Sequence, residues 1–89
     1  MEFEWDDNKN KSNQLKHGIS FEEATQIFDD DKRVEYQDFR QDYGEDRWKI
    51  IGQILGIIFS VTYTLRAAAV RLISARRASQ KERDLYENQ

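Results

Sequence analysis

The chain has 89 residues, no cysteine and no proline, and its 14 lysines and arginines against 17 aspartates and glutamates give a net charge of −3. This length predicts one domain, residues 1–89, and the lack of cysteine excludes disulfides and thiolate metal sites and fits a cytoplasmic protein. The apolar stretch 50–61 is too short to span a bilayer, so no membrane contact is expected, and the pI near 5.1 argues against broad coating of nucleic acid.

The first part of the chain predicts a short strand followed by two capped helices. The alternating residues Phe3–Trp5 indicate the strand, Asp6 can cap a helix over about residues 7–16, and Gly18 supplies the left-handed end of that helix. Ser20–Glu23 has the serine and glutamate spacing of a capping box, which begins a second, short helix.

The remainder of the chain predicts most of a sheet and a closing helix. The segments rich in β-branched and aromatic residues are 48–53, 57–65 and 69–75, with the weaker candidate Val34–Tyr36 before them. Ile54–Gly56 suits a three-residue hairpin turn with glycine in the left-handed position. A second capping box, Ser79–Glu82, begins the last helix. The expected fold is a small α+β domain in the order β-α-α-β-β-β-α, with a mostly antiparallel sheet and helices packed on one face.

Three arginines have the strongest case for chemistry. Arg66 ends one predicted strand, and Arg76 and Arg77 end the next, just before a capped helix start. Guanidinium groups grip phosphate in a bidentate fork and helix N-termini attract anions, so such a cluster could bind a phosphodiester and stabilise charge developing on it. The alternative is that these arginines are solvated surface charges, or that they pair with the first half of the chain, where residues 1–46 carry six cations against fourteen anions.

Other candidates for chemistry are weaker. His17 could act as a general acid or base, or could simply favour the C-terminus of the first helix. One histidine and scattered carboxylates do not make a zinc site, and Asp29–Asp31 is better explained as a solvated turn, so neither a metal nor another cofactor is expected. Glu82 could act as a base, but its place in the capping box already accounts for it.

Three segments, in order along nearly the whole chain, resemble the BrnT family of bacterial type II toxins. They are Phe3–Asp6 with Lys16–Ala24, Asp42–Arg47, and Arg71–Ala78 running into Glu82, Arg83 and Tyr86. The resemblance implies a RelE-like fold and a toxin that cleaves RNA, inhibits translation and is neutralised by a BrnA-like antitoxin. It also implies that the antitoxin carries a ribbon-helix-helix part, so that operator DNA is bound only through the complex. That complex could be a heterotetramer or could contain a toxin homodimer. The alternative is a non-catalytic RNA- or partner-binding module that acts mainly in the repressor complex.

The resemblance also assigns roles to single residues. Arg66, Arg76 and Arg77 match important arginines of the family, which implies that they bind phosphate and stabilise the transition state when a ribose 2′-OH attacks the adjacent phosphate without a metal. His17 matches the histidine of the family's Lys-His-Gly motif and is the fourth catalytic candidate. Further RNA contacts are expected from three cations of the second half, namely Arg71, Lys81 and Arg83.

The chain departs from the family pattern at two turns. Ala67–Ala69 stands where the family has a polar or glycine-containing turn, and the hairpin turn at 54–57 is more apolar than the usual Asp/Asn-Gly sequence. Exposed apolar side chains often mark a partner surface. We therefore predict that Leu55 and Ile57 help to bind the antitoxin or a second copy of the toxin.

Overall fold

A computed structural model of the chain describes residues 1–40, 42 and 44–89. Gln41 and Tyr43 lie outside the described residues, and Tyr43 belongs to one of the segments that carry the family resemblance. The strands are β1 (Glu2–Glu4), β2 (Val34–Asp38), β3 (Arg47–Ile54), β4 (Ile57–Arg66) and β5 (Ala69–Arg77). The helices are α1 (Asp7–His17), α2 (Phe21–Ala24), continued by a 3₁₀ helix over Thr25–Asp29, and α3 (Gln80–Glu87).

In the described part of the chain the strands form one sheet in the order β1-β5-β4-β3-β2. Every pairing is antiparallel except that of β1 with β5. The prediction of a mostly antiparallel α+β domain is confirmed. The weak candidate at Val34–Tyr36 is a real edge strand, longer than expected, so four strands rather than three follow the helices.

The local signals at the helix ends are also confirmed. The Asp6 carboxylate accepts a hydrogen bond from the Lys9 backbone N–H at 3.0 Å, and Gly18 ends α1 at a φ of 71°. Both capping boxes form as predicted. The β3–β4 turn is shorter than predicted, because Ile54 already pairs with Ile57 and only Leu55 and Gly56 form the turn.

The main core lies between one face of the sheet and the segment from α1 to the 3₁₀ helix, so that α1, α2 and the 3₁₀ helix form a layer on one face, as predicted. Its fully buried members include Phe21, Ile27, Ile50 and Val61. Gly52 allows the 3₁₀ helix to approach the sheet, because a Cβ at that position would lie 2.6 Å from Cγ1 of Ile27. Burial of these side chains is the main source of folding free energy for a domain of this size.

The closing helix α3 adds a smaller cluster in which Ile51, Ala78 and Tyr86 are buried, with Ile58 packed against them. Successive side chains of a strand point to opposite faces, so Ile51 faces away from the core that contains Ile50. α3 therefore covers the face of β3 that the other helices leave open. None of the helices in the described ranges is long and apolar enough to cross a membrane.

Candidate functional site

A cleft of about 970 Å³ lies between the edge strand β2 and helix α3, and we refer to it as the charged groove. Its floor contains Lys49, Arg76 and Glu82. One wall is formed by residues 36–40 at the end of β2, and the other by Lys81, Asp84, Leu85 and Asn88 of α3. The α3 residues follow the i, i+3, i+4, i+7 spacing that puts side chains on one side of a helix.

The floor of the charged groove is built around the carboxylate of Glu82. Arg76 donates to it through both terminal nitrogens, at 2.8 Å from Nη1 to Oε1 and 3.0 Å from Nη2 to Oε2. Lys49 Nζ and Ser60 Oγ donate to Oε2 at 3.1 and 3.3 Å. The register explains the convergence, because Arg76 lies opposite Ser60 on neighbouring strands. The Glu82 side chain is 11% exposed and that of Arg76 is 35% exposed, so the guanidinium covers the carboxylate and still reaches the cleft.

These contacts decide what Glu82 can do. Burial disfavours its charged form, but hydrogen bonds from Arg76, the Ser79 backbone and Lys49 outweigh burial and hold its pKa well below the usual range. Glu82 is therefore ionised at neutral pH, and both of its oxygens are occupied. Such a carboxylate is a poor general base, because a base should have a pKa near the working pH. Its capping-box role is confirmed, and it also fixes the positions of Arg76 and Lys49.

The β2 wall repeats the arrangement of a buried anion beneath an exposed cation. Arg40 forms a fork on Asp38, at 2.9 Å from Nε to Oδ1 and 2.8 Å from Nη2 to Oδ2. This fork lowers the pKa of Asp38 to about 2. The Asp38 side chain is buried whereas that of Arg40 is well exposed, so the cation is what a ligand in the groove would meet.

Tyr36 and Phe39 give the β2 wall an aromatic surface. A tyrosine hydroxyl is protonated at neutral pH and can donate a hydrogen bond. Burial, together with the negative charge of Glu82, raises the pKa of Tyr36 further. Sequence reasoning missed Tyr36, Arg40 and Lys49 as groove residues. Two of them, Tyr36 and Lys49, could have been found from the pairing of β2 with β3, because the register puts these residues opposite each other.

A second cleft, of about 300 Å³, lies on the opposite face of the sheet, and we refer to it as the apolar pocket. Its walls include the predicted partner-binding residues Leu55 and Ile57, the predicted catalytic residues His17 and Arg77, and Phe59. Arg77 reaches this pocket because it pairs with Phe59, whose side chain faces the main core. The structure thus brings half of the predicted catalytic set beside the predicted partner surface.

The structure does not bring the four predicted catalytic residues together. Arg76 and Arg77 are consecutive in a strand and therefore point to opposite faces. Arg66 lies at the β4–β5 turn, where its Nη2 contacts Oε1 of Glu45 at 3.1 Å. Because the two arms run antiparallel, this turn is at the far end of the hairpin from Arg76 and Arg77.

The three predicted RNA-binding residues are also dispersed. Lys81 lines the charged groove. Arg71 forms a 2.7 Å ion pair with Glu4, which joins β5 to β1. Arg83 donates to the Ala78 carbonyl and to the Gln80 side chain within and just before α3. Of this set, the geometry favours only Lys81 as part of a site with Arg76.

Within the described residues, no group of three or more histidines, aspartates or glutamates is arranged to hold a metal ion.

A scan against protein families matches residues 5–82 to the family described as the ribonuclease toxin BrnT of type II toxin–antitoxin systems. A search of curated proteins gave no significant match. The matched range begins in the segment after β1 and ends at Glu82, so it contains the floor of the charged groove and the residues of the apolar pocket named above.

Proposed function

The chain belongs to the BrnT family of ribonuclease toxins of type II toxin–antitoxin systems, and on that premise we propose that it cleaves RNA in the charged groove without a metal ion. The observation that carries this proposal is the position of Arg76. Its guanidinium is fixed by two hydrogen bonds to Glu82 and forms part of the floor of a cleft large enough for a nucleotide. A preorganised cation in such a cleft is suited to stabilise charge that develops on a phosphate.

Cleavage of this kind takes its nucleophile from the substrate. The ribose 2′-hydroxyl gives its proton to water as its oxygen attacks the adjacent phosphorus. The bond from phosphorus to the 5′-oxygen breaks and this oxygen takes a proton from water, so the products are a 2′,3′-cyclic phosphate and a free 5′-hydroxyl. Negative charge accumulates on the phosphoryl oxygens in the transition state, where Arg76 and Lys81 would oppose it. The protonated Tyr36 hydroxyl would donate a further hydrogen bond to the phosphate. Side-chain cations thereby supply the electrostatic stabilisation that a metal gives in other nucleases.

The catalytic roles of Arg66, Arg77 and His17 remain predictions. Arg77 and His17 lie at the apolar pocket, and Arg66 lies at the far end of the β4–β5 hairpin. The proposed groove includes none of the three. Variants of Arg76 and Arg77 separate the two possibilities, as set out in the Discussion.

We assign the antitoxin, which we propose to be BrnA-like, to the apolar pocket. Leu55 is 92% exposed at the tip of the β3–β4 hairpin and has a φ of 49°. A non-glycine residue in this left-handed conformation costs about 1 kcal/mol, and two-residue hairpin turns favour asparagine or glycine there. An exposed leucine at this position does not help the domain to fold, so a contact with a partner is the better explanation for it. Operator DNA would then be bound only through the ribbon-helix-helix part of that partner, and the toxin would cleave RNA in the cytoplasm and so inhibit translation.

One observation favours the alternative of a non-catalytic module. Both terminal nitrogens of Arg76 already bind Glu82, so much of its charge is neutralised before any ligand arrives. A groove of this kind could hold RNA or an acidic partner segment without cutting it. The chain would then serve mainly in the repressor complex.

Incubation of the purified protein with RNA in the presence of EDTA separates these functions. The proposal predicts undiminished cleavage and fragments that end in a 2′,3′-cyclic phosphate. Binding of RNA without cleavage at any pH between about 6 and 8, the range in which general acid–base groups titrate, would favour the non-catalytic module. Cleavage that EDTA abolishes and magnesium restores would contradict the metal-independent mechanism.

A further inference from the structure

Phe39 is an aromatic residue that contributes little to the fold. It follows the last residue of β2, and it is 78% exposed. Its ring makes none of the aromatic contacts found among the described residues, which involve Phe3, Trp5, Phe21, Phe28 and Tyr63. Its packing therefore does not explain why a large apolar side chain stands at this position.

The surroundings of Phe39 suggest a ligand. Single exposed apolar residues are common on protein surfaces and need no special explanation. Phe39, however, lines the charged groove together with Tyr36, and the cations Arg76 and Lys81 line the same cleft. Aromatic faces beside a cationic groove are the arrangement by which proteins hold single-stranded nucleic acid, with bases on the rings and phosphates on the cations.

We propose that Phe39, with Tyr36 beside it, is a stacking platform for an unpaired base, and that it makes the charged groove selective for single-stranded RNA. The proposal rests on the proposed function for the identity of the ligand. A base must leave its own stack before it can lie on a protein ring, and this is easy in single strands and costly in a duplex. With a base on the β2 wall, the adjoining phosphate lies within the cleft that contains Arg76 and Lys81.

The two walls then have different tasks. Lys81 of the α3 wall and Arg76 of the floor attract the phosphate, beside the exposed carboxylate of Asp84, while the β2 wall orients the nucleotide by stacking. Phe39 touches the substrate but not the reacting atoms, so it positions the RNA and sets its specificity. Its loss should weaken binding of single strands far more than it changes the chemical step on RNA that is already bound.

The test is a binding measurement with RNA that cannot be cut. A mixed-sequence 2′-O-methyl oligonucleotide lacks the free 2′-hydroxyl that serves as nucleophile, and it can be offered as a single strand or as a hairpin duplex. Phe39→Ala is expected to raise the Kd for the single strand by about 5- to 150-fold, the range measured when a stacking aromatic is removed. Phe39→Trp should restore binding, because indole stacks at least as well as a phenyl ring. Its added indole emission, taken as the difference from the wild-type protein, should be quenched by the oligonucleotide.

The matched control is Leu65→Ala, which removes another exposed apolar side chain on the same sheet away from the groove. It should bind RNA as the wild-type protein does, and the duplex should bind weakly and equally to all variants.

The proposal is overturned if Phe39→Ala binds the single strand with unchanged Kd, or if it loses antitoxin binding alone, which would make Phe39 part of the partner surface. If wild-type protein fails to cut ordinary RNA while Phe39→Ala still weakens single-strand binding, the platform stands and the nuclease proposal fails. If all variants cut RNA and bind the single strand alike, the nuclease proposal stands and the platform fails.

Discussion

The charged groove and the apolar pocket lie on opposite faces of one sheet and use side chains in opposite ways. In the groove, two carboxylates lie beneath cations, Glu82 beneath Arg76 and Asp38 beneath Arg40, while a third, Asp84, is exposed. In the pocket, apolar side chains such as Leu55 reach the solvent. The first arrangement suits the anionic ligand that we propose for the groove, and the second leaves apolar surface exposed where we propose that a partner binds.

Residues that are neighbours in the sequence can belong to different sites. Arg76 and Arg77 are adjacent, yet strand alternation sends one to the groove and the other to the pocket. If the two clefts have separate functions, substitutions at these two residues should have separate effects. Each of the following predictions tests that separation.

The largest difference is expected between Arg76→Ala and Arg77→Ala. Loss of Arg76 removes a preorganised donor for the transition-state charge, and such losses typically lower the rate by about 100- to 1000-fold. Arg77→Ala should keep the cleavage rate within about threefold of wild type, since its side chain is on the other face. The measurement is the single-turnover cleavage rate of a labelled RNA, with circular dichroism to verify folding.

Arg76→Lys serves as a second variant if the alanine protein is poorly folded. It keeps one charge but loses the fork on Glu82, so it should be folded and still cleave at least tenfold more slowly. Equal losses in the Arg76 and Arg77 variants would contradict the separation of the two clefts and would support the predicted catalytic role of Arg77.

The next largest effect is expected on stability, from a comparison of the two capping boxes. Glu82 and Glu23 occupy the same position in their boxes, but only Glu82 also binds a lysine and an arginine. Glu82→Gln should lower the free energy of unfolding by about 2–4 kcal/mol, because it leaves Lys49 and Arg76 without their buried counter-charge. Glu23→Gln should lower the free energy of unfolding by a clearly smaller amount. Urea denaturation measures both, and equal losses would show that the Glu82 network does not stabilise the floor of the groove.

A smaller effect is expected at the apolar pocket. Leu55→Asp places a charge on the proposed partner surface and should weaken antitoxin binding by roughly 10- to 50-fold, as is typical for a contact residue near the centre of an interface. Leu15→Asp is the matched control, because Leu15 is 91% exposed on α1 and does not line the pocket. Calorimetric titration with the antitoxin gives both affinities. RNA cleavage by the free toxin should be unchanged in both variants, and an unchanged affinity for Leu55→Asp would remove the assignment.

The smallest effect is the loss of stability at low pH that follows from protonation of Asp38 in the β2 wall of the groove. The folded-state pKa of Asp38 is lowered to about 2, below its unfolded value near 3.8, so its stabilising contribution is present above about pH 4 and is lost as the pH falls toward 2. Solvent weakens the ion pair because Arg40 is exposed. Asp38→Asn should therefore lower the free energy of unfolding by about 1–2 kcal/mol at neutral pH and by almost nothing near pH 2. Denaturant titrations at the two pH values measure the difference. An equal loss of unfolding free energy at both pH values would show that packing, rather than the ion pair, accounts for the effect of the substitution.

Much of the fold could be predicted because its signals are local. The capping boxes at Ser20 and Ser79, the cap at Asp6 and the glycine after α1 depend on residues three or four positions apart, and each forms as expected. The strands β3 and β4 are predicted by their β-branched residues. The edge strand β2 is harder to predict, because its polar sequence VEYQD is typical of an edge strand that is buried on only one side.

The site was harder to predict because it depends on register. The sequence places Arg66, Arg76 and Arg77 at strand ends, but only the antiparallel pairing shows that the first of these ends is remote from the other two. A β-bulge near Thr62 and Tyr63 also shifts the β4–β5 register, so face assignments made by counting from the turn fail beyond it. Lys49 and Glu82 are 33 residues apart and meet only through tertiary packing. No local pattern predicts such a contact.

The central claim is that RNA binds in the charged groove and not at the apolar pocket. The most direct test is amide chemical-shift mapping of the isotope-labelled protein with the uncleavable 2′-O-methyl single strand. This binding mode predicts amide shifts concentrated at Tyr36, Phe39, Arg76 and Lys81, with His17 and Leu55 unchanged. Shifts concentrated at His17, Leu55 and Arg77, with the groove residues unchanged, would contradict it.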